Sequence, residues 1–554
     1  MKTRLFPLLL LTISHSLLAQ QIPGAGSQLR QLPPPPAPPK TQPDIRIEEV
    51  TTPAAPDAGA TRIVVRQLLV TGNRVYAAPE LVAIAQFTPG ATLTLAELQA
   101  MATRITEHYR GNGYFVARAY IPAQSVTDNV VTIAVSEGSY GQVTVRNQAR
   151  LPDALPRRLL AGLDSGEVIT LDPLESRLLL LSDVPGVKVT STLVPGTVPG
   201  TSDLIVDVVP GRPVSGSIDA DNAGNPYTGE GRLGATVNFN NPVGIGDVAS
   251  LRVLTSGAGL MYGRASYQMP FGRATAGVAY SKLKYELDEQ FESLGANGSA
   301  EVASIYGIVP LVRSRNRNLY AGLTYDDRRF EDRIDLIPSV TNRKARVVTG
   351  SLYGNSQDSL GGGGANAFYA ALSSGSLDIQ TPAALAADAV TARADGSYSK
   401  LWINATRLQR VSNAVSLWAS VTGQIASKNL DPSEKLVLGG MDGVRAYPQG
   451  EAFGDQGYLA TLEARLRLAG LSERVAGEVH LLGFVDAGSV TINKNPWFAG
   501  DNRRELSATG VGAMWVDAGN FAVRAYYAGK LGSEDAISAP DKSGRFWIQA
   551  IKYF

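Results

Sequence analysis

From about residue 212 to its end at residue 554, the chain repeats short segments in which apolar and polar residues alternate, separated by Gly, Asn, Asp and Pro. Segments 233–239, 250–254, 274–280, 319–325, 347–353, 367–372, 401–405 and 416–421 are examples. A period of two sends successive side chains to opposite faces of a strand. Beyond the N-terminus no run approaches the ~20 apolar residues of a spanning helix, whereas a strand crosses a bilayer with about 9–11. About sixteen such segments occur, which predicts one mid-sized transmembrane antiparallel β-barrel over 212–554. The last segment, 545–554, places Phe546, Ile548, Ala550 and Phe554 on one apolar face, broken only by Lys552. A soluble sandwich or propeller would show a regular blade repeat, and none is found.

The N-terminus sets the compartment. Lys2 and Arg4 precede an apolar core at 5–11, interrupted only by Pro7, and Ala19 stands at a plausible cleavage point. Residues 1–19 therefore read as a secretory signal, too short to stop in a membrane. Lys+Arg (51) and Asp+Glu (50) almost cancel to a net charge of +1, so no nucleic-acid partner is expected. The chain has no cysteine, so an exported protein of this size must be held by something other than disulfides, such as a large hydrogen-bonded sheet.

Residues 20–61 read as a linker. Pro33, Pro34, Pro35, Pro36, Pro38, Pro39 and Pro43 favour polyproline II, and 26–32 is long enough only for a short helix. Two β-α-α-β-β units of about 75 residues follow, at 62–138 and 139–211. In the first, 63–70 is expected as a strand and 79–85 as a short helix. Thr94 and Glu97 form a capping box for a second helix, with Leu98, Met101, Ala102, Ile105 and Tyr109 on one face. Strands at 114–121 and 130–135 complete the unit. The second has strands at 141–145, 187–194 and 203–209 and helices at 155–163 and from Asp172–Pro173 through Leu181, with Asp172 as N-cap.

A signal peptide, a Pro-rich linker, two POTRA-like units and a C-terminal barrel together resemble the outer-membrane transporters of two-partner secretion, across essentially the whole mature chain. Two motifs carry the likeness further. Gly443-Val444-Arg445-Ala446-Tyr447 is similar to the family's Val-Arg-Gly-Tyr loop signature, with Ala446 where the family has Gly. Phe484-Val485-Asp486-Ala487-Gly488 matches its Phe-x-Asp-x-Gly strand signature. The resemblance implies that the loop folds back into the barrel and that Arg445 pairs there with Asp486. Val444 and Tyr447 would support the latch, as would Phe484 and Gly488, and terminal Phe554 would serve as an assembly signal. Trp515-Val516-Asp517-Ala518-Gly519 repeats the strand pattern, but its continuation into Asn520 reads as a hairpin turn.

The resemblance implies a passive channel in the Gram-negative outer membrane with its POTRA units in the periplasm. Its client would be a large exported partner protein of the haemolysin, adhesin or toxin class, bearing an N-terminal transport domain. Outer-membrane lipid, the barrel-assembly machinery and periplasmic chaperones are the other expected partners. A barrel-assembly insertase of the same superfamily is the alternative, and a diffusion porin a more distant one. No enzyme chemistry is legible. The three histidines (His15, His108 and His480) are scattered and have no cysteine partner, so no metal site is expected. Gly361 to Gly364 lacks the Lys-Ser/Thr of a phosphate-binding loop and reads as a hairpin loop, and Asp326-Asp327 reads as loop or lumen charge. No cofactor is expected.

Overall fold

The computed structural model describes residues 22–36, 44–47, 61–257 and 259–554; the expected signal at 1–19 lies outside the described residues. Sixteen strands, from Val214–Asp221 to Gly544–Tyr553, close into one antiparallel barrel. The closing seam pairs the first strand with the last, from Ser217 opposite Tyr553 to Asp221 opposite Gln549. The eight alternating segments given as examples above each fall within a strand, and 545–554 does so up to Tyr553. The final strand shows the principle: Phe546 and Ile548 point outward at 55% and 43% exposure, while Trp547 between them is only 4% exposed. Three consecutive strands, Ala296–Arg313, Arg317–Ile334 and Ser339–Asp358, run for 18, 18 and 20 residues. That exceeds what a bilayer requires, so this side of the wall projects beyond it. Asp326 and Asp327 sit on opposite faces here, Asp326 paired with Arg328 and Asp327 with Lys344, and form no dyad.

Ahead of the barrel stand the two α+β units. In the first, the strand expected at 63–70 divides at Arg66, whose N–H donates to the Asn129 carbonyl at 2.8 Å. Arg62–Val65 pairs with Ala91–Thr94, and Gln67–Thr71 runs parallel to Val130–Ser136. One segment serves two partners, which periodicity alone does not show. The strand expected at 114–121 shrinks to Arg118–Tyr120, because Tyr114 turns its ring against Tyr76 and Tyr109. The capping box is present: Glu97 N–H donates to Thr94 Oγ1 at 3.2 Å, and Thr94 N–H to Glu97 Oε2 at 2.7 Å. The helix it starts, Leu95–Gly111, buries all five of its predicted apolar residues.

Glu137 closes this unit. Its Oε1 accepts the Tyr109 hydroxyl at 2.8 Å and the Arg74 and Val75 N–H groups at 2.7 and 2.8 Å. Burial first, and then this bond to a carboxylate, push the Tyr109 phenol well above its ordinary pKa. Its folded-state value is raised, so the contribution of the neutral phenol is intact below the ordinary phenol range and is lost as pH climbs from there through the raised value. Glu137→Ala leaves a buried hydroxyl and two backbone donors without their acceptor, a loss of about 2–4 kcal/mol. Amide exchange at Arg74 and Val75 should quicken accordingly; unchanged protection would show that the carboxylate holds nothing.

The second unit is a sheet of Ser139–Asn147, Thr201–Pro210 and Val187–Pro195 under helices Ala154–Leu159 and Leu171–Ser182. Thr170, not Asp172, is the N-cap, which puts Pro173 inside the first turn. A missing N–H is harmless there, since the first-turn donors have no intrahelical partner. The unit is joined to the barrel by Arg313, which grips Asp183 through two nitrogens at 2.7 and 3.0 Å, and by Arg315 with Glu175 at 2.9 Å.

The stretch expected to be linker does two further things. Helix Ala25–Arg30 lies inside the barrel, near the end remote from the α+β units, with Ser27 and Gln28 buried. Asp44–Ile47 forms a strand that runs parallel to Val187–Pro195 and covers that edge of the second unit's sheet.

Candidate functional site: a latched loop and a lumen helix

Between strands Val415–Ala426 and Gln456–Arg467 the chain leaves the wall and folds inward. Val444 and Tyr447 are wholly buried in this loop, and the backbone is pinned by Val444 N–H donating to the Leu438 carbonyl at 2.7 Å. The tip delivers Arg445 to the inner wall. Its Nε and Nη2 donate to the two oxygens of Asp486 at 2.9 and 2.8 Å, and its N–H reaches Oδ2 at 3.2 Å. Arg445 is 4% exposed and Asp486 0%, so solvent does not screen the pair. A planar fork on a carboxylate fixes direction as well as charge.

Phe484, two residues before Asp486, lies flat under the guanidinium, with the ring centroid 3.4 Å from Cζ, and Tyr526 flanks it at 4.9 Å. Gly488 lets the loop approach: a Cβ there would stand 2.9 Å from Leu438 Cδ2 and 3.0 Å from the Tyr458 carbonyl. Ala446 is not among the positive-φ residues, so its departure from the family's glycine leaves no backbone strain. The residues singled out by the two motifs thus meet in one place. Phe554 does not join them; it lies at the closing seam, exchanging backbone hydrogen bonds with Gly216 at 3.0 and 3.1 Å.

Motif reading missed several members. Arg445 Nη1 donates to Glu463 Oε1 at 2.8 Å, and Arg465 holds the other oxygen of Glu463 at 2.6 Å. Thr461 Oγ1 donates to Asp486 Oδ1 at 3.0 Å. Trp547 Nε1 donates to the Arg445 carbonyl at 2.6 Å, tying the tip to the last strand. Thr461, Glu463 and Arg465 alternate with outward Leu462 and Leu466, so the inward polar row was available in the sequence as a period-two signal. Asp517, the repeat of the strand motif, ends its strand at a turn, where its Oδ2 accepts from Asn520 Nδ2 at 2.7 Å.

A second obstruction shares the lumen. The helix Ala25–Arg30 presents its first N–H to Asp332, whose Oδ1 accepts from Ala25 at 2.7 Å. Asp332 also accepts the Tyr285 hydroxyl at 2.7 Å and pairs with Arg343 at 2.5 Å. Arg343 continues to Asp431 on the inward loop. Arg30 Nε donates to the Lys435 carbonyl at 3.2 Å, and Asn225 Nδ2 to Gln31 Oε1 at 2.9 Å. Helix and loop therefore brace each other through side chains rather than through a continuous sheet.

Residues 200–514 match the haemolysin secretion/activation protein family ShlB/FhaC/HecB, and residues 63–138 the ShlB-type POTRA domain. The chain is 29% identical over 495 residues to the heme/hemopexin transporter protein HuxB of Haemophilus influenzae, covering 88% of this chain and 86% of that protein. It is 25% identical over 429 residues to the outer membrane transporter CdiB of Dickeya dadantii, covering 72% and 71%. CdiB from Escherichia coli superposes with a TM-score of 0.66 at 20% identity, over 91% of this chain and 93% of that one. BamA from Haemophilus ducreyi lacking POTRA domains 1–3 gives 0.54 at 14% identity, over 89% and 100%. At such identities the two structures speak for the fold alone. With more than half its length matched, this chain belongs to the haemolysin secretion/activation family.

Proposed function

We propose that this outer-membrane barrel translocates a large partner protein from the periplasm to the cell surface, with its POTRA units capturing the client. The observation that carries this reading is a lumen filled by segments that are not part of the wall. A wall of sixteen strands surrounds a helix and a loop that are held by side-chain contacts and can leave without breaking the sheet. Val444, Arg445, Tyr447 and Asp486 form the latch, a two-state element in which one ion pair biases the seated form. Phe484 and Gly488 shape its seat. The client enters extended and adds a strand to an open POTRA edge through main-chain hydrogen bonds, which ask little of its sequence. At Val187–Pro195 that edge is held by the chain's own Asp44–Ile47, so a client binding there replaces it. The client's N-terminal transport domain is the segment that enters first. Phe554 closes the barrel and is read by the assembly machinery and chaperones that deliver it.

The barrel-assembly alternative shares the fold, but the family matched by sequence is a secretion family. Deleting residues 62–211 should leave an inserted, heat-modifiable barrel that secretes nothing. Proteomics of the culture medium with and without the gene identifies the client, and normal secretion by the deletion variant would remove the capture role.

A further inference from the structure

Paired charges recur around the inner wall: Arg252 with Asp219, Arg328 with Asp326 and Arg465 with Glu463. One sector departs from this. On four neighbouring strands, Tyr320, Tyr353, Tyr369 and Trp402 stand side by side with ring centroids 5.2, 5.7 and 5.6 Å apart. Their strands place them on the same inward face as Arg328, Arg343 and Lys400, whose partners Glu434 and Asp431 sit on the inward loop. Tyr320 lies near Arg317, at the periplasmic end of its strand, and Trp402 lies farther in. The ladder thus starts at the entrance and climbs toward the lumen helix, which is seated at the opposite end.

The rings are not packed away. Tyr320, Tyr353 and Tyr369 border a cavity of about 860 Å³ whose opposite wall is the second POTRA unit, through Leu179, Leu180 and Val184. Tyr369 is 38% exposed. The cavity lies at the junction gripped by Arg313 and Asp183, between the second POTRA unit and the barrel mouth.

The geometry points to this aromatic ladder as a sliding track for the client, which contacts an extended polypeptide through the apolar side chains spaced along it. The inference rests on the channel reading above and adds what the lumen reads. A cavity of this size takes a short stretch of extended chain and no folded domain. Same-face side chains of an extended chain repeat every ~6.6 Å, twice the rise per residue. Ring spacing is shorter than that, so an apolar side chain meets a ring at every register and the chain advances without a fixed stop. Aromatic faces hold such groups by area and stacking and demand no particular sequence.

The test uses full-length protein in nanodiscs and two labelled, unstructured synthetic peptides of equal length and charge. One carries leucine and valine at intervals in a Gly/Ser background, and the other has asparagine at those positions. Wild type should bind the leucine–valine peptide more tightly. Y353A/Y369A/W402A should weaken that peptide by about tenfold or more, the equivalent of losing more than one ring contact. It should leave the asparagine peptide unchanged, because POTRA strand addition reads only the backbone. Y353F/Y369F should bind like wild type. Should the triple variant fail to assemble, Y369A alone, at the most exposed of the rungs that border the cavity, should still give a decrease of about threefold for the leucine–valine peptide only. Equal affinity of wild type and assembled variants for that peptide, or equal weakening of both peptides, overturns the ladder. Neither result touches the channel reading, which stands or falls on whether a large protein disappears from the culture medium when the gene is removed.

Discussion

Arg445→Ala should reduce secretion to below about a tenth of wild type and change pore conductance, while the barrel still inserts and stays heat-modifiable; the estimate follows from the cost of a lone buried charge. Without the guanidinium, Asp486 loses two side-chain donors and Glu463 keeps only Arg465. Breaking a buried pair by removing one partner costs about 3–5 kcal/mol. At 1.4 kcal/mol per decade that lowers the ratio of seated to released loop by about two to three and a half orders of magnitude. Two controls separate latch from bulk. Arg445→Lys keeps charge but cannot reach Asp486 and Glu463 with one planar fork, so it should fall between wild type and alanine. R445A/D486A removes both charges and should be less damaged than the sum of its singles. Wild-type secretion and conductance in R445A would remove the latch altogether.

Removing residues 22–36 should raise conductance toward that of an open sixteen-stranded pore, since the wall is unchanged and the loop is then the obstruction left in the lumen. A helix of six residues does not persist alone in water, so docking creates it. Asp332→Ala should give an intermediate phenotype. It removes the acceptor of the helix N-terminus and the partner of Tyr285 and Arg343, a loss of about 2–3 kcal/mol that raises the open fraction without deleting the plug. Planar-bilayer recordings decide this. If the truncated chain conducts like the full one, the loop alone seals the pore.

The barrel was legible because its code is local. Period-two alternation and turn residues say strand and turn without reference to anything distant, and the aromatic end of 545–554 says where the alternation stops. The latch was half legible. Arg445 and Asp486 stand in motifs, but Glu463 and Trp547 reach the same guanidinium or its backbone from other strands, and only register brings them there. The division at Arg66 and the shortened strand at Arg118–Tyr120 were hidden for the same reason: each depends on which neighbour a segment meets. Residues 26–32 were weak as a helix by propensity, and no local signal says that barrel side chains would complete it.

Asp44–Ile47 and the helix Ala25–Arg30 are the two ends of one tether, one on the sheet proposed above to receive the client, the other in the bore. Whatever competes for the first weakens the anchorage of the second, and by reciprocity a bore already cleared offers the incoming polypeptide a vacated sheet margin. Arrival on one side of the membrane and unblocking on the other are then a single equilibrium read at two places, with no separate signal passing between them.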